Sequence, residues 1–463
     1  MSDTREALST DAPPLVRTQP TLKKFEERLE FGGPRGTFAI MIISHVLLYY
    51  LWIAIAYYKG HAPVPESFAD VGPYFGRLWG HIVAGATPTW RAAAIYFGFL
   101  GFQLGCAYVM PGVKVKGLPV PSEGNRQREY LCNGYVTWLV TLATAAALHF
   151  SGVFRLTEWA DNLGPMLTVA VIFGNLVSIY TYVATIRAKR EIRMTGHTVY
   201  DFFMGAILNP FVGKVDMKMF VEIRVSWILL FFLTASAAAK QFDLYGTISW
   251  PMIFMLTAHG LYTNACMKGE ESIPTTWDIF YEKWGWMLIF WNLVGVPMVY
   301  CFNSYYILQQ GAAEYHHPAF MGLLFFLLFG AYYVWDTSMA QKNRYRAMER
   351  GLYIKRNTFP QMPWGTLKYP PKLLKTANGG SLLIDGFWAY ARKIHYAADI
   401  VMASCWALAC GFDGILPYLY PCFFFVMIMH RASRDEARCK EKYGEDWDRY
   451  TSIVKYRFIP FVI

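Results

Sequence analysis

Apolar residues in this chain gather into runs, separated by short polar connections and two long ones. By hydropathy the runs cover 37–58, 91–111, 132–152, 165–187, 225–240, 247–265, 285–308, 318–336, 397–410 and 414–430. Most are long enough for a helix to cross a hydrocarbon core of about 30 Å. The last two are short, and one re-entrant hairpin would account for them equally well. The pattern predicts an all-α polytopic membrane protein of about ten transmembrane helices.

The two long polar stretches cover roughly 187–224 and 337–396, and connections of that length often carry function. In the second, Pro360, Pro363, Pro370, Pro371 and the Asn378-Gly379-Gly380 turn predict irregular backbone. A helix dipping towards the membrane is expected from about Ser381 to Tyr396. Residues 431–450 are expected to form an amphipathic helix lying at the interface. Residues 1–36 read as a polar cytosolic segment and 37–463 as one membrane domain. No cleavable signal peptide is visible in the polar start, so the first span is expected to act as the targeting signal.

Composition agrees with this picture: 55% of the 463 residues are hydrophobic and 16% are charged, against about 25% charged in soluble domains. The net charge of +10 raises the question of nucleic acid, but its distribution answers it. Arg187, Lys189, Arg190 and Arg193 follow the fourth run, Lys342, Arg344, Arg346, Arg350, Lys355 and Arg356 follow the eighth, and Lys114, Lys116, Arg126 and Arg128 lie between the second and third. Ten spans put these on one side, with both termini cytosolic, and this positive-inside bias needs no polyanionic partner. The eight cysteines form no CxxC pair and read as small core hydrophobes.

Four clusters are candidates for chemistry. From Gly196 to Arg224, an Asn-Pro turn with the pairs Asp216/Lys218 and Glu222/Arg224 reads as a structural elbow, or the border of a ligand entrance. From Leu261 to Trp286, Tyr262, Lys268, Glu270, Glu271, Asp278 and Glu282 crowd against apolar helix ends. An acid there donates a proton if burial or positioning tunes it; otherwise the stretch is a solvated loop. Lys342 and Arg346, four apart, share a helical face and suit a phosphate, as an ordinary basic flank would. Near the end, Trp388 offers a stacking face, Arg392, Lys393 and Arg431 offer charge, and Asp435, Tyr443 and Tyr450 offer hydrogen bonds. His395-Tyr396 is a conceivable metal-ligand fragment but reads as ordinary hydrogen bonding; His316-His317 reads as surface without a partner. No metal site is expected, and no glycine-rich nucleotide loop is present. Together these residues predict a polyanionic cofactor held beside a greasy cavity.

The segments YDFFMG (from Tyr200), QKN (from Gln341), HRxxRD (from His430) and CxxKYGxDWxxY (from Cys439) make the chain resemble the membrane sterol reductases. That family contains the carbon-14, carbon-7 and 24(28) reductases and part of the lamin B receptor. The resemblance runs from about Phe31 onwards. EFGGP at Glu30, NACMKGEE, PTTWDIFYEK and LLIDGFWAYARKIHYAAD look most like the 24(28) branch of ergosterol-type synthesis. His395 stands where other members tend to have Asn, which marks the branch.

The resemblance implies an endoplasmic-reticulum enzyme with an NADPH pocket open to the cytosol, mainly within 337–463. The implied cofactor contacts are Lys342, Arg346, Leu383, Trp388, His395, Tyr396, Arg431, Asp435, Cys439, Lys442, Tyr443 and Tyr450. Tyr262 matches a tyrosine proposed to supply or relay a proton, with Tyr450 expected near it; Glu271 and Asp278 are the other candidate acids. The implied reaction protonates the exocyclic methylene of a sterol side chain and delivers hydride to carbon 24. The sterol would come from the bilayer, with membrane lipids and other sterol-pathway enzymes as partners. Ring reduction at carbon 14 or 7, methyl transfer from S-adenosylmethionine and non-catalytic sterol binding stay open as rivals.

Overall fold

The computed structural model describes residues 29–120, 123–355, 358–368 and 370–462. Most of the polar N-terminal segment, and Arg356 of the basic flank, lie outside the described residues. All ten apolar runs fall in helices. Among the described residues, six helices are long and apolar enough to cross a membrane: Gly33–Tyr57, Trp90–Val109, Leu163–Arg187, Met217–Tyr245, Trp286–Gln309 and Pro318–Glu349. Gly134–Phe150 and Ile394–Leu408 are shorter apolar helices. The protein is thus a polytopic, mainly helical membrane protein.

Burial sorts these helices by position. The apolar windows of Met217–Tyr245 and Trp286–Gln309 are 78% buried, whereas that of Pro318–Glu349 is 22% buried. The first two form the centre, and the last presents most of its surface outwards. Phe38, Ile42, Ile43 and Val46 on the first helix are exposed in the same way; on a soluble protein such a patch would be a liability, but lipid covers it. Both central helices contain a π-helical turn, Phe220–Val225 and Trp291–Gly295, and the two turns touch. A Cβ on Gly295 would lie 1.3 Å from the Trp291 ring, so only glycine admits that ring.

Helix ends follow local chemistry. Thr89 caps Trp90–Val109 by accepting from the Ala92 N–H at 3.1 Å. Gly246, left-handed at φ 70°, ends Met217–Tyr245. His317 caps Pro318–Glu349, its Nδ1 accepting from the Ala319 N–H at 3.2 Å, and His316 Nε2 lies 3.1 Å from the Ala409 carbonyl. The two histidines expected to be partnerless surface residues therefore both have partners.

Several boundaries differ from expectation. Pro318–Glu349 has 32 residues, about 48 Å at 1.5 Å per residue, so the start of the second long polar stretch is the same helix running past the bilayer. Met217–Tyr245 likewise begins within the first polar stretch. The expected helix over 381–396 is instead a strand, Ser381–Leu383, paired antiparallel with Leu373–Lys375, then a 3-10 turn at Gly386–Ala389. Residues 431–450 do not form a separate interfacial helix. They continue Leu419–Tyr443 directly and, after a break at Gly444 (φ 54°), enter Glu445–Ile453. Two other antiparallel hairpins, Val113–Lys116 with Glu129–Cys132 and Phe211–Val212 with Val215–Asp216, decorate the helical body.

Candidate active site

The Asp216/Lys218 and Glu222/Arg224 pairs expected from sequence do not form. Residues two apart on a helix do not face each other, and Asp216, Lys218 and Arg224 each bond elsewhere, while the Glu222 Oε2 is buried without a partner among the described residues. Asp216 accepts from Asn209 Nδ2 at 2.5 Å and from the Met219 N–H at 2.9 Å. Burial pushes its carboxyl above the usual range. Lys218 donates to the Ile279 and Glu282 carbonyls at 3.1 and 2.7 Å. Arg224 Nε donates to Glu270 Oε1 at 2.8 Å, and Glu270 Oε2 accepts from the Gly134 N–H at 2.7 Å. Glu270 is fully buried, so this part of the second cluster is no solvated loop. The pair is a clamp that sets where the Trp250–Lys268 helix ends.

That clamp positions one wall of a cavity of about 770 Å³. Glu271 and Asp278 line this wall, Lys342 and Arg346 line the facing wall on Pro318–Glu349, and His395 and Arg431 close the third side. Six of the residues expected at the site thus border one space. Lys342 and Arg346 share it because their spacing of four keeps them on one helical face.

The cations differ in how firmly they are held. Arg346 donates to Glu349 at 2.8 Å and to the Ser381 carbonyl at 2.9 Å. Arg431 lies 3.5 Å from Asp278. Lys268 is neutralised by Asp336 at 2.6 Å. Lys342 has its ammonium 4.3 Å from the centre of the Trp388 ring and makes no ion pair among the described residues. The Trp388 indole is fixed beneath it, since Nε1 donates to the Ser338 carbonyl at 2.8 Å. Leu383 and Tyr345 pack against this ring.

The His395 ring sits 5.1 Å from Trp388 and 4.2 Å from Tyr396, and its Nδ1 is buried without a partner. Asp435 forms an ion pair with Lys393. Burial opposes its charge, but Lys393, with Lys342 and Arg431 behind it, holds the carboxyl below the usual range.

The remaining C-terminal candidates stand behind the hairpin. Cys439 and Tyr443 pack with Tyr450, Leu374 and Leu382. Burial pushes the Cys439 thiol up to about 11 and the Tyr450 phenol up to about 12, so both stay neutral. The Lys442 ammonium lies over the Tyr443 ring at 4.9 Å.

Tyr262 is elsewhere, in an aromatic chamber deeper in the bundle. Its ring stacks on Trp335 at 5.1 Å and meets Trp227 at 4.6 Å and Trp406 at 6.2 Å. Trp335 and Cys266, one turn from Tyr262, also line the cavity, so chamber and cavity adjoin. Tyr450 belongs to the other cluster and does not neighbour Tyr262 as expected; the Leu373–Leu383 hairpin holds it against Trp447. Asp399, half-buried on Ile394–Leu408, was not singled out from the sequence. Its spacing of four from His395 was the signal available.

This arrangement suits a long polyanionic ligand with a flat ring. A basic wall and stacking faces occupy one end, and an aromatic chamber with a phenol occupies the other. The profile of the ergosterol biosynthesis ERG4/ERG24 family matches residues 25–463. The chain is 45% identical to the delta(24(24(1)))-sterol reductase of Aspergillus fumigatus, over 93% of this chain and 92% of that protein. Against the delta(24(24(1)))-sterol reductase of Gibberella zeae it is 44% identical, over 95% of this chain and 74% of the relative. Against the delta(14)-sterol reductase of Dictyostelium discoideum it is 36% identical, over 96% and 94%.

Proposed function

The chain belongs to the ergosterol biosynthesis ERG4/ERG24 family, and from that premise we propose that it is an NADPH-dependent reductase of the 24(28) double bond of sterol side chains. The observation that carries this reading is the junction of a cation-lined cavity with an aromatic chamber holding Tyr262. The two 24(24(1))-reductases at 44–45% identity favour this bond over a ring bond.

The residues present fit NADPH. Lys342 is a half-buried cation with no carboxylate partner among the described residues, and the orphaned His395 Nδ1 offers a hydrogen bond beside the Trp388 ring. Lys342 and Arg346 would hold phosphate, Trp388, His395 and Tyr396 would flank flat rings, and Arg431 and Asp435 would fix polar edges. Leu383 would pack against the ligand, and Cys439, Lys442, Tyr443 and Tyr450 would support the hairpin side. When bound, NADPH supplies hydride, the half of the reduction that no side chain can provide.

The protein's own task is the proton. An unactivated alkene accepts hydride poorly, so an acid must first protonate the exocyclic methylene, which leaves a tertiary cation at carbon 24. Tyr262 is the donor best placed for this. Glu271 and Asp278 border the polar cavity, and Asp278 is engaged by Arg431. The rings of Trp227, Trp335 and Trp406 keep water from the cation and stabilise it through their faces.

In this reading ten helices span the endoplasmic-reticulum membrane, with both termini and the cavity mouth cytosolic, and the sterol enters from the bilayer. The test is sterol analysis of an ergosterol-deficient yeast strain that lacks its own 24(28) reductase and expresses this chain. Restored side-chain reduction is expected; ring reduction in its place would overturn the assignment.

A further inference from the structure

Asp399 lies four residues beyond His395 and seven before Trp406 on the Ile394–Leu408 helix. Those spacings put all three on one stripe of the helix. His395 lines the cation-rich cavity. Trp406 meets Tyr262 at 6.2 Å and stacks on Tyr420 at 5.2 Å. The carboxyl between them therefore stands at the passage from cavity to chamber.

Its surroundings are unusual for an acid. Asp399 is half-buried, and among the described residues it takes neither a hydrogen bond nor an ion pair. It lies within electrostatic range of Tyr262 and Cys266 on one neighbouring helix, of Tyr300 on a second and of Tyr420 on a third. Towards the cavity, the stripe runs into His395, which Lys342, Lys393 and Arg431 face. A carboxylate among aromatic rings has little to solvate it, and polar groups kept at such positions in a membrane protein usually serve a function.

Tyr262 alone leaves the proton supply incomplete. A free phenol is about six pKa units weaker as an acid than a free carboxylic acid. Once it has donated, the phenolate is left among the rings of Trp227, Trp335 and Trp406, which solvate it poorly. We propose that Asp399 is a positioning residue that works through Tyr262, passing it the proton that the reduction consumes; this inference rests on the reductase reading above.

The bonds balance as follows. The Tyr262 O–H breaks as the alkene π pair forms a new C–H bond at the exocyclic carbon. The Asp399 O–H breaks as the Tyr262 O–H re-forms, the proton crossing by way of one bridging water. The Asp399 carboxylate then takes a proton from water entering past His395. One proton has passed from water to carbon, and the reduced nicotinamide provides the hydride that completes the reduction.

The experiment compares full-length wild type, Asp399→Asn and Asp399→Glu, each reconstituted in lipid. It measures NADPH affinity by fluorescence, kcat and KM with a 24-methylene sterol, and the infrared band of a protonated carboxyl group. Asp399→Asn is expected to lower kcat by about 100-fold, leave NADPH affinity and KM unchanged and lose the carboxyl band. Asp399→Glu, which keeps an acid, restores most of kcat. Wild-type kcat in Asp399→Asn, or equal loss of kcat and NADPH binding without rescue by Glu, would overturn the inference. Wild-type turnover of a ring alkene instead would overturn the 24(28) assignment, while the same variants, measured on that alkene, still decide the role of Asp399.

Discussion

Lys342 and Arg346 occupy neighbouring turns of one helix, yet they are held differently. Arg346 holds its guanidinium on Glu349 and the Ser381 carbonyl, whereas Lys342 makes no ion pair among the described residues and lies over the face of Trp388. A cation without a carboxylate partner is ready for an incoming anion. Lys342→Ala should therefore weaken NADPH binding by about 10- to 100-fold, the worth of a charge-assisted hydrogen bond, as read by fluorescence titration. Tyr262→Phe keeps the ring stack and removes only the hydroxyl. It should cut turnover by about 100-fold or more with NADPH affinity unchanged; equal loss of binding in both variants would argue against separate roles. Asp435 adds a pH dependence. Its carboxyl is held low in the folded protein, so its ion pair with Lys393 contributes stability in full above the usual carboxylate value of about 4. That contribution is lost as pH falls through the depressed value. Thermal melts across the acid range should show Asp435→Asn losing part of the wild type's acid sensitivity. The shared face of Lys342 and Arg346 was readable from their spacing. The partners of Arg224 and Lys218 were not, because they come from segments tens of residues away.

Among the elements, the Pro318–Glu349 helix does the most to build the site. Its apolar part was legible as a run ending near residue 336, but its true end was not. Once outside lipid a helix needs no apolar residues, so hydropathy stops reporting while the hydrogen-bond ladder continues. Lys342 and Arg346 owe their direction to that unbroken ladder. One alanine inserted between Thr337 and Lys342 turns them by about 100° and should abolish NADPH binding while leaving the protein in the membrane, measured by titration after size-exclusion chromatography. The Arg224–Glu270 clamp works similarly on the Trp250–Lys268 helix. Removing one member of a buried pair leaves the other charge uncompensated, at a cost of about 3–5 kcal/mol. Arg224→Ala should accordingly lower the unfolding midpoint markedly, and an unchanged melt would contradict the clamp. The close pass of Gly205 and Gly285 follows from space alone: a Cβ on Gly285 would lie 2.1 Å from the Gly205 nitrogen. No periodicity announces such a crossing.

Taken whole, the molecule joins two environments that ordinarily exclude each other. In the proposed reading, a basic, hydrogen-bonding cavity would receive a charged cofactor and an aromatic chamber within the bundle would receive a sterol. The hydrophobic runs made the helical membrane architecture legible, and the C-terminal motifs held His395 and Arg431, which border the cavity. The strand and turn over 381–389 were hidden, because so short a hairpin depends on Trp388 and Tyr345 packing behind it. Asp399 was hidden for a related reason. Its place between cavity and chamber exists only once its helix has docked on Pro318–Glu349. The central claim is that these two spaces serve reduction at carbon 24. Its most direct test is gas chromatography–mass spectrometry of sterols after the purified protein is incubated with NADPH and a mixed pool of 24-methylene and ring-unsaturated sterols. Loss of the 24(28) double bond alone is the predicted result. Loss of a ring double bond, or a pool left unchanged, would contradict it.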